Sequence, residues 1–106
     1  MRPVDMVRYL VMFERPEDPE AFDRHYREVH VPLAKGMPGL RRFAVSRSPA
    51  AIRGESYYLV AALDWDDMSA LERAFRSPAG RATAKDVPNL ADHGRVRSMT
   101  FELEDI

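Results

Sequence analysis

Apolar residues alternate with polar ones, or run continuously, in four segments of the chain that we predict to be β-strands. They span residues 7–13, 40–47, 57–65 and 95–103, and each is rich in β-branched and aromatic side chains. The first and third segments are apolar at both odd and even positions, as expected of strands covered on both faces. The second and fourth are apolar mainly at alternate positions. The pattern therefore predicts two central and two outer strands.

A helical spacing of apolar residues separates the first two strands. Asp18 and Pro19 form a favourable helix start, with the carboxylate as N-cap and proline in the first turn. The apolar residues that follow are spaced by four, three and four positions, which places them on one helix face: Phe22, Tyr26, Val29 and Leu33. Pro32 interrupts this pattern, so the helix is expected to kink or to re-form there and to end at residues 36–39.

A second helical region lies between the third and fourth strands. Asp66 and Asp67 provide a cap for a helix whose inward positions are Met68, Leu71, Ala74 and Phe75. Ser77 and Pro78 begin another short helix, which residues 87–89 interrupt. The order β-α-β-β-α-β predicts an α+β, ferredoxin-like fold over a single domain, residues 1–106. Right-handed crossovers place both helical regions on one face of a four-stranded antiparallel sheet in the order 4-1-3-2.

The uncovered face of this sheet predicts a partner. Because helices cover only one face, the second apolar face of the two central strands would otherwise lie in water. Exposed apolar patches of many hundred Å² are rare in soluble proteins. An identical sheet from a second copy of the chain is the simplest cover, so we predict a homodimer.

Composition narrows the possible partners and compartments. The 106 residues carry 16 Lys+Arg and 17 Asp+Glu, a net charge of -1, which argues against nucleic-acid binding. There is no cysteine, which excludes disulfides, thiol nucleophiles and Cys-ligated metals. No apolar run approaches the ~20 residues that span a bilayer, and the N-terminus lacks a signal-peptide pattern. We therefore predict a cytoplasmic protein with no membrane or nucleic-acid partner.

The histidines are the first candidates for chemistry. In a regular α-helix His25 and His30 lie about 140° apart, a poor arrangement for two ligands of one metal. Tyr26 and His30 are four apart and share a side, where a hydroxyl and an imidazole are able to address one ligand. The alternative is that His30 is a structural residue bonded to a backbone carbonyl. His25 and the loop residue His93 are interpreted as inert, and no metal site is predicted.

Other motifs are absent or ambiguous. The sequence has no G-x-G-x-x-G, no P-loop and no G-x-S-x-G, so neither a dinucleotide cofactor nor a nucleophile elbow is indicated. Asp64 interrupts the third strand and is expected to face water at the strand end. Aromatic residues occur in every predicted strand. They either line a hydrophobic cavity between sheet and helices or simply form the core and the dimer interface.

Several blocks of the sequence resemble the EthD family. They are DPEAFDRHYREVHVPL from residue 18, PGL from residue 38, YYLVA from residue 57, SPxG from residue 77 and DVPNLA from residue 86. The resemblance covers nearly the whole chain and implies a dimeric α+β barrel. It also implies that Met6 is the usual start, which leaves residues 1–5 as a loose extension. Some relatives on this fold are cofactor-free monooxygenases, isomerases, cyclases or haem-degrading enzymes.

The resemblance marks His30 as the signature histidine, with Tyr26 and Phe22 at the upstream aromatic positions. Our first hypothesis is an enzyme that acts on a small hydrophobic or aromatic molecule without a cofactor, an oxidoreductase, isomerase or cyclase. His30 and Tyr26 would be catalytic, and Phe22, Tyr58 and Trp65 would bind substrate. The second hypothesis is a non-catalytic dimer that serves an oxidative catabolic pathway. A third is haem handling through His30 or His93.

Overall fold

The sheet consists of four antiparallel strands in the order β2-β3-β1-β4, as predicted. This computed structural model describes residues 6–106, apart from the side chain of His93. The strands are β1 (Met6–Phe13), β2 (Arg42–Val45), β3 (Leu59–Trp65) and β4 (Val96–Leu103). β2 is shorter than predicted, although backbone hydrogen bonds from Arg41 and Ser46 extend its pairing with β3. The predicted extension at residues 1–5 lies outside the described residues.

Capping residues fix where the helices begin. Helix α1 (Pro19–His25) begins at Asp18, α3 (Met68–Arg76) at Asp67 and α4 (Pro78–Asp86) at Ser77. In each case the side-chain oxygen accepts a hydrogen bond from a backbone N–H of the first turn, which confirms the predicted caps. Between α1 and helix α2 (Val31–Lys35), residues Tyr26–His30 form one π-helical turn. Short 3₁₀ turns, Val87–Asn89 and His93–Arg95, follow α4.

The core lies between the helices and one face of the sheet. Odd-numbered residues of the central strands point to this side, and seven of them are buried: Val7, Val11, Phe13, Leu59, Ala61, Leu63 and Trp65. The helices contribute buried residues to the same layer, namely Phe22, Tyr26, Ala34, Leu71 and Ala74. This single layer fixes the position of every helix-borne side chain discussed below.

The opposite face of the sheet carries apolar side chains and one ion pair. Leu10 and Met12 of β1 are only partly covered, and Met99 of β4 is 50% exposed. Arg8 donates two hydrogen bonds to Asp64, at 2.8 and 3.0 Å, from the directly opposite position on the neighbouring strand. The prediction that Asp64 faces water is wrong: it is 4% exposed, because the guanidinium of Arg8 covers and pairs its carboxylate.

Candidate functional site

A widened helical turn places His30 in the wall of the core. Val31 donates its backbone N–H to the carbonyl of Tyr26, five residues earlier, instead of four as in an α-helix. This turn lies directly before Pro32, whose ring would collide with the carbonyl of Glu28 in a regular helix. The interruption at Pro32 was predicted, and in the structure it is a π-helical turn followed by a re-formed α-helix.

The π-helical turn also brings His25 and His30 to the same partner. Residues five apart stand nearly over one another in such a turn, whereas a regular helix separates them by about 140°. Both imidazoles contact the carboxylate of Asp86 at the end of α4. The expectation that His25 and His30 point apart is therefore wrong. His25 thus shares a buried partner with His30.

Asp86 is the centre of this cluster. Its Oδ2 accepts from Nδ1 of His30 at 2.9 Å, and its Oδ1 accepts from Nε2 of His25 at 2.8 Å and from Nδ2 of Asn89 at 3.0 Å. Asp86 is 6% exposed and His30 is 7% exposed. A carboxylate buried to this extent is stable only when donors surround it, and here three side chains do so.

These donors keep Asp86 ionised. Burial, the largest single influence, acts to raise the pKa of Asp86. The hydrogen bonds from Asn89, His25 and His30 outweigh it and hold the pKa below its ordinary value of 3.8. An ionised carboxylate only accepts hydrogen bonds, so Nδ1 of His30 and Nε2 of His25 each carry a hydrogen in these contacts. In the neutral ring of His30, the lone pair is then on Nε2.

A small, partly enclosed cavity adjoins His30. We call it the inner cavity, and its volume is about 120 Å³. From the sheet it is lined by Tyr9, Val11, Phe13, Phe43 and Leu63. From the helices it is lined by Tyr26, His30, Ala34, Phe75, Thr83 and Val87, among others. Among the described residues, none hydrogen-bonds to Nε2 of His30. The cavity is therefore a mainly apolar space whose wall includes the side chain of His30.

Tyr26 belongs to the same wall. It is 2% exposed, and its ring stacks on Phe22 on one side (centroids 5.8 Å apart) and on His30 on the other (5.3 Å). Burial raises the pKa of Tyr26 far above its ordinary value of 10.0, and the charge of Arg27 opposes this shift only in part. Tyr26 is thus a neutral phenol, able to donate one hydrogen bond but not to act as a base near neutral pH.

The other three predicted site residues lie elsewhere. Phe22 is buried behind Tyr26 and lines a surface groove on the far side of α1. Tyr58 is at the surface, where its hydroxyl donates to the carboxylate of Asp23 at 2.9 Å. Trp65 is fully enclosed, donates its indole N–H to the carbonyl of Pro38 at 3.0 Å and does not line the inner cavity. The structure brings His30 and Tyr26 together at the inner cavity, whereas none of the other three side chains lines it, although Phe22 stacks on Tyr26.

Asp86 and Asn89 were not singled out from the sequence, although both lie in the DVPNLA block. One signal was present: Asp86 is three residues after Thr83 and four before Leu90, so it occupies an inward position of the second helical region. A charged residue at a core position needs a buried partner. Its two histidine partners, His30 and His25, are 56 and 61 residues away along the chain. A sequence pattern does not predict contacts at that separation.

Neither a metal-binding cluster nor a membrane-spanning helix occurs in the described part of the chain. Over residues 6–106, with the side chain of His93 set aside, no group of three or more His, Asp or Glu side chains is arranged to hold a metal ion. Within those same residues, no helix has the length and apolar character needed to cross a bilayer.

Most of the chain matches one known protein family. Residues 14–94, which include the π-helical turn, His30 and Asp86, match the EthD domain. The chain belongs to the EthD family. A curated relative from Rhodococcus erythropolis is 36% identical over 98 residues, covering 92% of this chain and 95% of the relative. It is described as an uncharacterized 11.0 kDa protein in the thcB-thcC intergenic region.

Solved structures support the same assignment. An EthD family protein from Bacillus halodurans is 36% identical, with a TM-score of 0.83 and coverage of 95% of this chain and 99% of that one. SnoaB of Streptomyces nogalater, described as a cofactor-independent oxygenase, has a TM-score of 0.63 at 19% identity, covering 96% and 94%. A ferredoxin-like protein of Thermobifida fusca, described as dimeric, has a TM-score of 0.68 at 19% identity, covering 93% and 92%. The last two likenesses show a shared fold alone.

Proposed function

We propose that this EthD protein is a homodimer that binds a small hydrophobic or aromatic molecule and uses His30 as an acid/base group on it. The observation that carries the proposal is the orientation of His30. Its Nδ1–H is anchored on the buried carboxylate of Asp86, Nε2 has no hydrogen-bond partner among the described residues, and the residue lines an apolar cavity. An imidazole held by one nitrogen beside a cavity is the usual arrangement of a general base.

The chemical step is a proton transfer. Nε2 of His30 takes a proton from an acidic C–H or O–H of the ligand, which leaves the ligand as an enolate or phenolate and His30 as an imidazolium. The carboxylate of Asp86 then stabilises the imidazolium across the 2.9 Å contact. In this proposal the neutral hydroxyl of Tyr26, one turn away, donates a hydrogen bond to the developing oxyanion. Enolisation, cyclisation and cofactor-free oxygenation all begin with such a step, and the fold shared with SnoaB supports this class.

The size of the inner cavity favours a second candidate. At about 120 Å³ it is smaller than the roughly 150 Å³ that holds one benzene ring. A protein that holds a ligand or assists a partner enzyme without turnover needs no larger space. In that case Asp86 and His30 form a structural pair.

Proton abstraction distinguishes the two candidates. We would follow deuterium incorporation from D₂O at the α-carbon of 2-tetralone, an aromatic ketone, by NMR. Under the catalytic proposal the protein accelerates exchange, His30→Gln abolishes the acceleration, and the exposed-loop variant Glu55→Gln retains it. Exchange that is equally fast in His30→Gln would refute acid/base catalysis by His30 and leave the accessory role.

The dimer has its own support and its own test. The open face of the sheet carries Leu10 and Met99 beside the Arg8–Asp64 pair, and a protein of the same fold is described as dimeric. Native mass spectrometry of the freshly purified protein reports both assembly and any bound organic mass. We expect a dimer that Leu10→Glu converts to monomer, while Ser98→Glu, on the helix side of β4, leaves it intact. A monomeric parent protein would contradict the proposal of a homodimer.

Location in the cytoplasm stays a prediction from the sequence.

A further inference from the structure

An open groove lies on the surface beside the inner cavity, between α3 and β4. We call it the outer groove; its volume is about 460 Å³. It is lined by Tyr9, Leu71, Glu72, Phe75, Arg76 and Thr100. Its floor is apolar and its rim carries one acidic and one basic residue of α3, Glu72 and Arg76. Because these charges balance, the groove does not favour an anion or a cation.

Tyr9 and Phe75 line both the outer groove and the inner cavity. Their rings meet edge to face, with centroids 5.0 Å apart and an angle of 63° between the planes. The two rings are therefore the partition between the surface and the space beside His30.

The two rings of this partition are less constrained than the Tyr26 side of the cavity wall. Tyr9 is half-buried and its hydroxyl has no hydrogen-bond partner among the described residues, so its ring is able to turn without breaking a bond. Phe75 is also half-buried and lies one residue before the end of α3. Tyr26, by contrast, separates the inner cavity from a groove that carries Arg15, Arg27 and Arg47, and it is almost fully buried between two stacked rings. Tyr26 is thus a rigid wall between the inner cavity and this groove, which we call the basic groove.

Displacing the two rings joins the spaces into one site. The inner cavity alone is smaller than the roughly 150 Å³ cavity that holds one benzene ring, whereas the two volumes together lie within the roughly 300–1,000 Å³ of small-molecule sites. A ring inserted between Tyr9 and Phe75 would meet aromatic side chains on two sides. A hydroxyl or carbonyl at its inner end would reach the imidazole of His30.

We infer that Tyr9 and Phe75 form a movable gate within a single ligand site, which takes an uncharged aromatic molecule with one hydroxyl or carbonyl group. The inference rests on the proposed function for the ligand's position at His30. Phe75 and Tyr9 then determine how fast ligands enter and which ring sizes fit, and His30 determines what happens to the polar group.

Ligand exchange kinetics test the gate. We would use 4-fluorophenol as probe and measure its association and dissociation rates by ¹⁹F NMR line-shape analysis. Phe75→Leu and Tyr9→Leu open the partition, so we expect the association rate to rise about fivefold or more. The dissociation rate should rise at least as much, because each variant also loses one aromatic contact with the probe. Phe43→Leu is the matched control, because Phe43 lines the inner cavity but not the outer groove. It should alter the Kd and leave the association rate unchanged.

The outcomes separate the gate from the chemistry. The gate would be overturned if Phe75→Leu and Phe43→Leu changed the rates equally. It would also be overturned if neither the parent protein nor either gate variant bound the probe. Probe-induced amide shifts at Arg15 and Ser46 instead of at Leu71 and Thr100 would also overturn it, because entry would then be through the basic groove. Two gate variants are used so that poor folding of one does not decide the result. If the exchange rates of the probe change as expected but deuterium exchange does not depend on His30, only the proposed catalytic step is refuted and the gate stands.

Discussion

Nδ1 of His30 lies 2.9 Å from Oδ2 of Asp86, although 56 residues separate the two in the chain. The contact joins the end of the π-helical turn to the end of α4, and both side chains are buried there. It restrains the orientation of the imidazole ring and leaves Nε2 as the nitrogen without a hydrogen-bond partner among the described residues. Under the proposed function, the chemistry of His30 depends on this contact.

Replacing Asp86 by asparagine should destabilise the protein. The new side-chain amide would present one carbonyl oxygen and one NH₂ group to three donors, so at least one of the three loses its partner at the buried position of Asp86. The expected loss is about 1–3 kcal/mol in the free energy of unfolding, measured by urea denaturation at pH 7. Asp92→Asn, at an exposed position just after the same helical region, is the control and should change little. Equal stability of the two variants would contradict the role of Asp86 as the centre of this hydrogen-bonded cluster.

The contribution of Asp86 to stability should be lost in acid. Its pKa is lowered in the folded protein, so as the pH falls the unfolded chain binds the proton first, near the ordinary value of 3.8. The contribution is complete above pH 3.8 and disappears as the pH falls from there through the folded-state pKa. The stability difference between the parent protein and Asp86→Asn should therefore shrink across this range. A difference that stays constant with pH would show that the carboxylate charge is unimportant.

Tyr26 should make the protein sensitive to alkali. Burial raises its pKa, so its contribution is present below the ordinary value of 10.0 and is lost as the pH rises beyond it. Tyr26→Phe removes the ionisable group, and the free energy of unfolding of this variant should fall less than that of the parent protein above pH 10.0. Tyr57→Phe, at a half-exposed position, serves as the control and should follow the parent protein. Denaturation series at neutral and alkaline pH provide the measurement.

Gly80 should not tolerate a side chain. A Cβ at this position would collide with the carbonyl oxygen of Ala74 and lie 2.6 Å from Cα of Phe75, both backbone atoms of the α3–α4 junction. Gly80→Ala should therefore cost about 1–3 kcal/mol and lower the melting temperature. Gly94→Ala, which meets nothing within 4 Å, should have a much smaller effect. Because the displaced backbone carries Phe75, Gly80→Ala should also change the exchange kinetics of 4-fluorophenol.

Local chemistry in the sequence was sufficient for most of the fold. The caps at Asp18, Asp67 and Ser77 follow from hydrogen bonds between residues three apart, so the residue types alone predict them. The sheet order follows from the apolar character of the two central strands on both faces. Asp64 was misjudged, because the opposite position that holds Arg8 depends on the pairing register of β1 and β3.

The candidate site was predicted only in part, because it too depends on contacts between residues far apart in the chain. The sequence by itself determined an α+β fold with His30 and Tyr26 on one helix beside an apolar core. Only the tertiary structure decided that the turn before Pro32 widens, that His25 joins His30 on Asp86 and that Trp65 stays away from the cavity. Helical periodicity describes neighbours up to four residues apart. The carboxylate that orients His30 comes from the other helical region, and its position is set by how both regions pack on the same sheet.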